Sequence, residues 1–416
     1  MTKLLHMASR NLMRYSRRTL LTTLLMVIGI LAVLLFVSLA GSFKQLMVGQ
    51  ITDSMLGHLQ IHKQGYVASI DNLPLNMMMN PNMVKKAEEF LNNTPEIEAY
   101  SPRIKFGAMF SNFEETTNIR LNAVFPQMED AASPMLKDRL LEGSIENGLL
   151  EKGKILIPEL LAKGMKIKVG DTIVLVATNQ DGAVNGQTFV VQGILEGITG
   201  PGGRDGYIHM DDARSVLRLT DTSISEYAVR LKDVARLPAV INAYQDSLGQ
   251  LRNQSDKPVF ELHTWEKLSP FYNIARMIDL MTLFIKIMLV AIVLISVMNV
   301  MVMAVYERIR EIGTMAAIGT PPSRILGLFI AEGLILGLFG TLIGTGLSLI
   351  CIFLLQRFPL HFDYGRQSDL LLIPEIAFSD IAIIGVIVTL MAVLASIHPA
   401  WKASHMDPIK ALRSGQ

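Results

Sequence analysis

The sequence has little charge and almost no cysteine. Only 18% of its 416 residues are charged, half are hydrophobic, and the single cysteine, Cys351, lies in an apolar stretch. This composition excludes one soluble globular domain and indicates a membrane protein. The balance of 38 basic and 37 acidic residues lacks the basic excess of a nucleic-acid binder, so no nucleic-acid partner is predicted. One cysteine excludes an internal disulfide, so any external domain depends on its own core.

Motifs for catalysis and cofactor binding are also missing. The chain contains no Gly-x-x-x-x-Gly-Lys-Ser/Thr phosphate loop, so it cannot bind ATP by that device. It contains no His-Glu-x-x-His, Gly-x-Ser-x-Gly or Cys-x-x-Cys motif either. His58 and His62 share one face of a strand, but without metal-site spacing they are interpreted as a polar strand face. We therefore predict no catalytic residues, metal site or cofactor in this chain.

Long hydrophobic runs are what the sequence has in abundance. A helix needs about 20 apolar residues to cross about 30 Å of hydrocarbon. Four stretches meet this requirement: 20–40, 287–306, 326–355 and 381–397. The first could instead be a signal peptide, because Ser38-Leu39-Ala40 loosely fits a small-x-small cleavage site, although the run exceeds the about 7–15 apolar residues typical of such peptides.

Basic residues near the ends of the spans indicate their orientation. They form three clusters, which are Lys3, Arg10, Arg14, Arg17 and Arg18; Arg308, Arg310 and Arg324; and Lys402, Lys410 and Arg413. Four crossings place all three clusters on one side of the membrane, and the positive-inside rule makes that side the cytoplasm. We predict a multi-pass inner-membrane protein with both termini cytoplasmic.

The predicted fold class is an α-helical membrane protein with four transmembrane helices and a large α/β periplasmic domain inserted between the first and second spans. The predicted segments are a cytoplasmic amphipathic N-terminal segment at 1–18, transmembrane helix 1 at 19–41, the periplasmic domain at 42–280, transmembrane helix 2 at 281–306, a cytoplasmic helix at 307–324, transmembrane helix 3 at 325–356, a periplasmic loop at 357–376, transmembrane helix 4 at 377–398 and a cytoplasmic tail at 399–416.

The external segment has patterns of both strands and helices. Alternating or apolar runs predict strands at 58–62, 188–191 and 257–262, and helical spacing marks 81–91 and 236–251. A β-rich lobe is expected near 130–220, inserted in an α/β lobe. Apolar residues at helical spacing also extend the first span and precede the second. They predict either stalk helices at both ends of the domain or amphipathic helices packed on the bilayer.

A short capped helix is predicted between the second and third spans. Opposite charges stand three residues apart in two pairs, Glu307 with Arg310 and Arg308 with Glu311. The apolar edge of the helix consists of Ile309, Ile312 and Ala316. Gly319 ends the helix, and the Pro-Pro pair that follows prevents its continuation. Such a helix either docks in a groove of a cytoplasmic partner or lies inert in the membrane interface.

The third span carries glycines at regular spacing and an embedded acid. The glycines are Gly333, Gly337, Gly340 and Gly344. Their small-x-x-x-small pairs predict tight helix packing, which would also suit contact with a second membrane subunit. Glu332 is predicted to anchor the helix at the interface or to pair helices, with a proton or substrate role as the alternative.

The glycine-rich turn at 200–206 is a further candidate site. Its four glycines leave the backbone free, and Arg204 and Asp205 supply polar contacts on an exposed turn. A plain flexible loop is the favoured interpretation, because surface turns are commonly rich in glycine. The alternative is a mobile tip that a periplasmic partner grips at Gly202, Gly203, Arg204 and Asp205.

Two signatures resemble a known family. The pattern Glu-Arg-x-Arg-Glu-Ile-Gly-x-x-x-Ala-x-Gly at 307–319 resembles the permease superfamily that includes the macrolide-exporter and lipoprotein-release ABC permeases. The ending at 399–413 and the layout of one span, a large external domain and three spans resemble the same family. The resemblance implies that 307–319 is a coupling helix that docks an ATPase. The residues it assigns to docking are Glu307, Arg308, Arg310, Glu311, Gly313, Ala317 and Gly319.

The lack of a fused ATPase and the segment at 57–66 look most like the lipoprotein-release type. That type implies as partners two copies of a separate cytoplasmic ATPase carrying ATP and Mg, a second permease that is identical or a sibling, a periplasmic carrier or adaptor, and membrane lipid. Its implied function is extraction of lipoproteins or other lipid-like cargo by mechanotransmission. The alternatives are a drug or peptide exporter with a periplasmic adaptor and an outer-membrane duct, or a signalling permease that senses a ligand or activates a cell-wall hydrolase.

Overall fold

A computed structural model describes residues 7–8, 10–11, 16–145, 148–197, 204–364, 367–407 and 411. The chain divides into two compact units. The helical unit comprises Met1–Gln45, Arg276–Phe362 and Leu371–Gln416, and the α/β unit comprises Leu46–Ala275 and Asp363–Leu370. The predicted fold class is confirmed, because four apolar helices accompany a large α/β domain that lies between the first two of them in the sequence.

The helices and strands of the described residues are numbered in chain order. The helices are α1 (Ser16–Ile51), α2 (Pro81–Asn93), α3 (Pro126–Ala132), α4 (Glu159–Gly164), α5 (Met210–Leu217), α6 (Leu237–Asp246), α7 (Trp265–Leu268), α8 (Tyr272–Glu307), α9 (Ile309–Ala317), α10 (Pro322–Arg357) and α11 (Phe378–Ser404). The strands are β1 (Leu59–Lys63), β2 (Ile97–Ser111), β3 (Thr116–Val124), β4 (Leu140–Gly143), β5 (Lys154–Pro158), β6 (Thr172–Thr178), β7 (Val184–Leu195), β8 (Gly206–His209), β9 (Glu226–Leu231), β10 (Phe260–Thr264), β11 (Leu360–Tyr364) and β12 (Gln367–Leu372).

Four of these helices, α1, α8, α10 and α11, are long and apolar enough to cross a membrane. The first two span 36 residues each. At about 1.5 Å per residue such a helix is roughly 54 Å long, well beyond the about 30 Å of the hydrocarbon core. Both helices are therefore longer than the hydrocarbon core is thick, and the stalk interpretation stays a prediction.

The helical unit is held by apolar side chains where its long helices meet. Its core includes Met26 and Ile30 of α1, Val293 and Val297 of α8, Phe329 of α10, and Val388 and Ala392 of α11, all almost fully buried. Large apolar side chains also cover the outer faces of these helices, such as Phe284 and Phe353. That distribution suits helices that pack on one side and contact lipid on the other.

The α/β unit is built on one ten-stranded sheet. Its strand order is β10-β1-β9-β2-β3-β8-β5-β7-β4, and β6 pairs with both β2 and β7. Pairing is parallel between β3 and β8 and between β5 and β7, and antiparallel between the other described neighbours. Strand β1 lies between β9 and β10, which explains why four of its five residues are buried.

Local signals explain the elements that the sequence predicts. Helix α2 begins with Pro81 at its first position, and the side chain of Asn80 accepts a hydrogen bond from Met83 N–H at 3.0 Å. Its buried residues recur at helical spacing and pack on the sheet. The predicted strand at 188–191 lies inside β7, and the predicted helix at 236–251 contains α6.

Two predicted segments can be compared with the described strands. The segment 130–220 contributes β4 to β8, and these strands join the others through the β3–β8 and β2–β6 pairs, in one sheet and one compact unit. The predicted periplasmic loop at 357–376 contains the paired strands β11 and β12. The sequence patterns at 58–62, 188–191 and 257–262 overlap β1, β7 and β10, but they could not show how the strands of the sheet are joined.

Candidate functional site

Helix α9 lies between the second and third spans and has well-defined ends. The chain leaves helical geometry at Arg308 (φ −107°, ψ 19°), which separates α8 from α9. At the other end Gly319 has φ +87°. Its N–H donates to Ala316 O at 3.1 Å, and Thr320 N–H donates to Met315 O at 3.0 Å. These are the two hydrogen bonds of a glycine-terminated helix end, so the predicted stop at Gly319 is present.

The two faces of α9 differ sharply. Ile312 and Gly313 are buried, with Ile312 in the core of the helical unit. The exposed residues are Arg310, Glu311, Thr314, Ala317, Ile318 and Gly319. The predicted apolar edge therefore packs into the chain itself, and Gly313 lies on that inward face rather than where a partner could approach. Ile318, at the end of the helix, is 77% exposed.

Arg308 joins α9 to the third span. Its Nη1 donates to Glu332 Oε1 of α10 at 2.7 Å, and its Nε donates to Glu311 Oε2 at 3.0 Å. Its guanidinium lies 5.6 Å from the ring centroid of Phe329. Asn11 Nδ2 donates to the same Glu332 oxygen at 2.8 Å. The predicted Arg308–Glu311 pair is present, and Glu332 pairs helices as expected.

The contact between Arg308 and Glu332 is a buried ion pair. The side chains of Arg308 and Glu332 are only 5% and 3% exposed. Removing one partner of such a pair leaves an uncompensated buried charge and costs on the order of 3–5 kcal/mol. The pair fixes the start of α9 against α10 at one point, so α9 cannot shift freely with respect to the third span.

The four glycines of α10 pack against other helices of the same chain. A Cβ at Gly333 or Gly337 would lie 2.7 Å or 2.9 Å from atoms of α11, and one at Gly340 or Gly344 would lie 3.1 Å or 2.9 Å from Met26 or Ile30 of α1. Tight helix packing is thus what these glycines provide. The contacts are internal, so this face of α10 is not where a second membrane subunit would sit.

We expect Gly344→Ala to destabilise the permease by about 1–3 kcal/mol, because the added methyl group overpacks the contact with Ile30. Gly346 is the matched control, since a Cβ there has no atom within 4 Å. Gly346→Ala should be neutral or slightly stabilising. Thermal unfolding in detergent measures both variants. Equal losses in the two would show that close packing at Gly344 does not matter.

The predicted partner loop is only partly described, because Gly202 and Gly203 lie outside the described residues. Arg204 is exposed, as expected. Asp205 is not on an exposed turn: it is 4% exposed and accepts a hydrogen bond from Asn122 Nδ2 at 3.2 Å. Its Oδ1 also lies 3.6 Å from Arg120 Nε. The carboxylate of Asp205 therefore ties the start of β8 to β3 and is not available to a partner.

Two domain models match most of the chain. A model of the MacB-like periplasmic core domain matches residues 19–246, more than half of the chain, and a model of the FtsX-like permease C-terminal domain matches residues 283–408. The chain belongs to this ABC permease superfamily. The family resemblance inferred from the motifs at 307–319 and 399–413 is confirmed.

The chain is similar to several named proteins. The permease is 21% identical to the lipoprotein-releasing system transmembrane protein LolC of Neisseria meningitidis serogroup B over 93% of this chain and 91% of the relative. It is 23% identical to LolE of Haemophilus influenzae over 79% and 80%. It is 37% identical to the macrolide export ATP-binding/permease protein MacB of Bartonella henselae, but over 28% of this chain and 16% of that protein. The periplasmic region of MacB from Actinobacillus actinomycetemcomitans aligns with a TM-score of 0.34 at 11% identity, covering 50% of this chain and 89% of that one.

The periplasmic domain of the permease contains a second ionic hub that the sequence did not reveal. Arg103 of β2 is 1% exposed. Its guanidinium donates to Glu129 of α3 (Nε to Oε2, 3.0 Å), to Ser133 Oγ at 2.9 Å and to the carbonyl oxygen of Met55. Its Nη1 also lies 3.5 Å from Glu226 Oε1. Met55 lies in the π-helical turn that follows α1, so Arg103 fixes that turn to the sheet.

Glu226 of β9 lies between two polar side chains of the neighbouring strands. It lies opposite Arg103 on β2 and opposite His62 on β1. Burial acts to raise the pKa of Glu226, but Lys105, His62 and Arg103 outweigh it and hold that pKa well below its usual range. The stabilisation from this carboxylate is therefore present above the ordinary carboxyl pKa and is lost as the pH falls. His58 and His62 are polar, as predicted, yet both are buried.

Proposed function

We propose that the permease couples ATP hydrolysis by a separate cytoplasmic ATPase to work in the periplasm, and that α9 is the docking element. The observation that supports this most is the contrast between the two faces of α9. Its inward face is packed into the helical unit, while a strip of charged, small and apolar residues ending at Ile318 stays exposed. An exposed apolar residue beside charges is what a specific protein contact uses.

The connections of α9 to the second and third spans suit the transfer of force. α9 is separated from α8 by a single turn residue, and the Arg308–Glu332 pair fixes it to α10. A displacement of α9 by a closing ATPase dimer would thus act on the second and third spans together. α8 continues unbroken back to Tyr272, so it can transmit a tilt toward the periplasmic domain.

The proposed orientation puts both termini and α9 in the cytoplasm, supported by the three basic clusters. We expect a cysteine at Ser144 to react with an impermeant reagent from the periplasmic side and one at Thr320 from the cytoplasmic side. Intact and inverted membrane vesicles distinguish the two. Labelling of both positions from the same side would refute this orientation.

We further propose that the cargo is a lipoprotein or similar lipid-anchored molecule, drawn from the outer leaflet between two permeases, identical or sibling, and passed to a periplasmic carrier. The supporting observation is the extent of the match along this chain. Likeness to LolC extends over 93% of it, whereas likeness to MacB covers 28% for the protein of Bartonella henselae and 55% for that of Bdellovibrio bacteriovorus. Two copies of the ATPase would bind the ATP and Mg.

Reconstitution tests this function. In proteoliposomes the permease alone should not hydrolyse ATP, and with its ATPase subunit and ATP it should release an acylated protein to a soluble acceptor. A non-acylated version of the same protein is the control for release. Hydrolysis by the permease alone would contradict the separate ATPase. Hydrolysis by the complex with no release, but with export of a drug through an adaptor or activation of a cell-wall hydrolase, would contradict the proposed cargo.

A further inference from the structure

Three side chains that are remote in sequence meet on one face of the sheet. They are His62 on β1 and Glu261 and His263 on β10. His62 stands directly opposite Glu261 in the antiparallel register, and His263 is two residues further along β10. All three therefore project from the same face. One ligand atom from each lies within 4.8 Å of those of the other two.

The imidazoles of this triad hold buried nitrogen atoms without hydrogen bonds. In the part of the chain that the structure describes, Nδ1 and Nε2 of His62 and Nδ1 of His263 have no hydrogen-bond partner. His62 is fully buried. Buried polar atoms in proteins are almost always satisfied. Nε2 of His62 has Glu226 beside it, so the Nδ1 atoms of His62 and His263 are the two that need an explanation.

We propose that His62, Glu261 and His263 bind a divalent transition-metal ion, and that Zn²⁺ is the ion they fit best. Two imidazoles and one carboxylate form a set of three protein ligands that leaves the fourth position of a tetrahedral ion open. Mg²⁺ and Ca²⁺ prefer oxygen ligands, so this set discriminates against them. The spacing of these residues in the sequence could not indicate the site, because Glu261 and His263 come from the far end of the periplasmic segment.

The carboxylate of the triad is already oriented by the backbone. Glu261 Oε2 accepts a hydrogen bond from Gly65 N–H at 3.0 Å, and its Oε1 accepts one from Val67 N–H at 2.8 Å. Each oxygen keeps a further lone pair for an ion.

The deeper imidazole has the surroundings of a metal ligand. His62 Nε2 lies 3.4 Å from Glu226 Oε2, and a carboxylate beside the second nitrogen of a ligating histidine is the usual arrangement that fixes its ring and tautomer. This leaves His62 Nδ1 for the ion. The ring of Tyr66 stacks on that of His62 with centroids 5.4 Å apart, which holds the ring plane.

Binding requires only small movements. Ligand atoms at about 2.1 Å from a tetrahedral ion are roughly 3.4 Å from one another, so the atoms of the triad must approach by on the order of 1 Å. Glu261 and His263 are half-buried, which gives them room to rotate and gives the ion a path from solvent. His62 can stay in place.

The position of the triad gives the ion a structural consequence. β1 follows α1 through the π-helical turn at Thr52–Leu56, and β10 leads directly into α7 and then α8. A bound ion would link the two strands from which the first and second long helices continue. It would thus hold together the two sheet strands that are nearest in sequence to α1 and α8.

The test uses the full chain in detergent, with its affinity tag removed and metal stripped by EDTA, titrated with Zn²⁺ in competition with a chromophoric chelator. We expect one Zn²⁺ per chain and an affinity at least about 100-fold lower in His263→Gln. His209→Gln is the matched control, because His209 is a half-buried histidine of the same sheet that lies outside the triad. It should bind Zn²⁺ like the wild type. Equal binding by wild type and His263→Gln, or no binding at all, would overturn the proposal.

Co²⁺ gives a second readout that needs no variant. The stripped wild type loaded with Co²⁺ should show the intense visible absorption of a four-coordinate ion, which a tenfold excess of Mg²⁺ leaves unchanged. The weak spectrum of six-coordinate Co²⁺ would indicate surface binding and contradict the site. If His263→Gln unfolds, Glu261→Gln replaces it in the titration, with the same expected loss of affinity.

Discussion

Replacing Arg308 with methionine is expected to destabilise the permease by about 3–5 kcal/mol, because Glu332 would remain as a buried charge without its cation. Of its hydrogen bonds in the described structure, Glu332 would keep only the one from Asn11. The measurement is the loss of free energy of unfolding, or the matching fall in Tm, in detergent. Among single replacements of charged residues in the helical unit, we expect this one to reduce stability the most.

Two companion variants make the test specific. The double variant Arg308→Met with Glu332→Leu should recover most of the loss, since two apolar side chains replace the pair without a stranded charge. Arg310→Ala changes an exposed arginine two positions away and should cost less than about 1 kcal/mol. This prediction would be contradicted if Arg308→Met lost no more free energy of unfolding than Arg310→Ala, or if the double variant were less stable than Arg308→Met. The buried ion pair would then not be what holds α9 to α10.

The elements that the sequence predicted well are those with local causes. The end of α9 could be predicted because Gly319 supplies the positive φ and the prolines that follow begin the next helix. The start of α2 has a similar local cause in Asn80 and Pro81. The spans follow from hydrophobic length, which needs no knowledge of partners.

The misjudged residues depend on contacts between distant segments. Asp205 lies in a glycine-rich, polar stretch, yet Asn122 and Arg120 of a neighbouring strand draw it into the fold. Gly313 appeared suited to a partner, but the rotation of α9 places it inward beside Ile312. The apolar edge indicated which side of α9 packs inward, and Gly313 follows Ile312 at the border of that edge.

The ionic contacts could be predicted only in part. An acid within a span requires a partner, so the sequence favoured helix pairing for Glu332. The sequence did not indicate which of several nearby cations would be that partner, and Arg308 became known only from the structure. Arg103 and Lys105 stand two apart on β2, a spacing that puts both charges on one face of a strand. Their partners Glu129 and Glu226 come from other segments, so the hub became visible only with the sheet order.

We expect the exposed strip of α9 to dock the ATPase, and replacing Ile318 with aspartate tests this. Ile318 is 77% exposed, so its replacement should leave the chain's own packing and membrane insertion intact. At a contact hot spot the loss of an apolar anchor costs about 2 kcal/mol or more, which corresponds to roughly a 30-fold weaker complex. Glu311→Lys, which also breaks the bond to Arg308, should weaken the complex as well.

The most direct measurement is the amount of ATPase that co-purifies with each permease variant at equal membrane content. Ile318→Leu is the matched control, because it keeps an apolar side chain of the same size. We predict that Ile318→Asp and Glu311→Lys lose most of the bound ATPase and that Ile318→Leu retains it. Wild-type recovery of the ATPase with both Ile318→Asp and Glu311→Lys, together with undiminished transport, would contradict docking at α9.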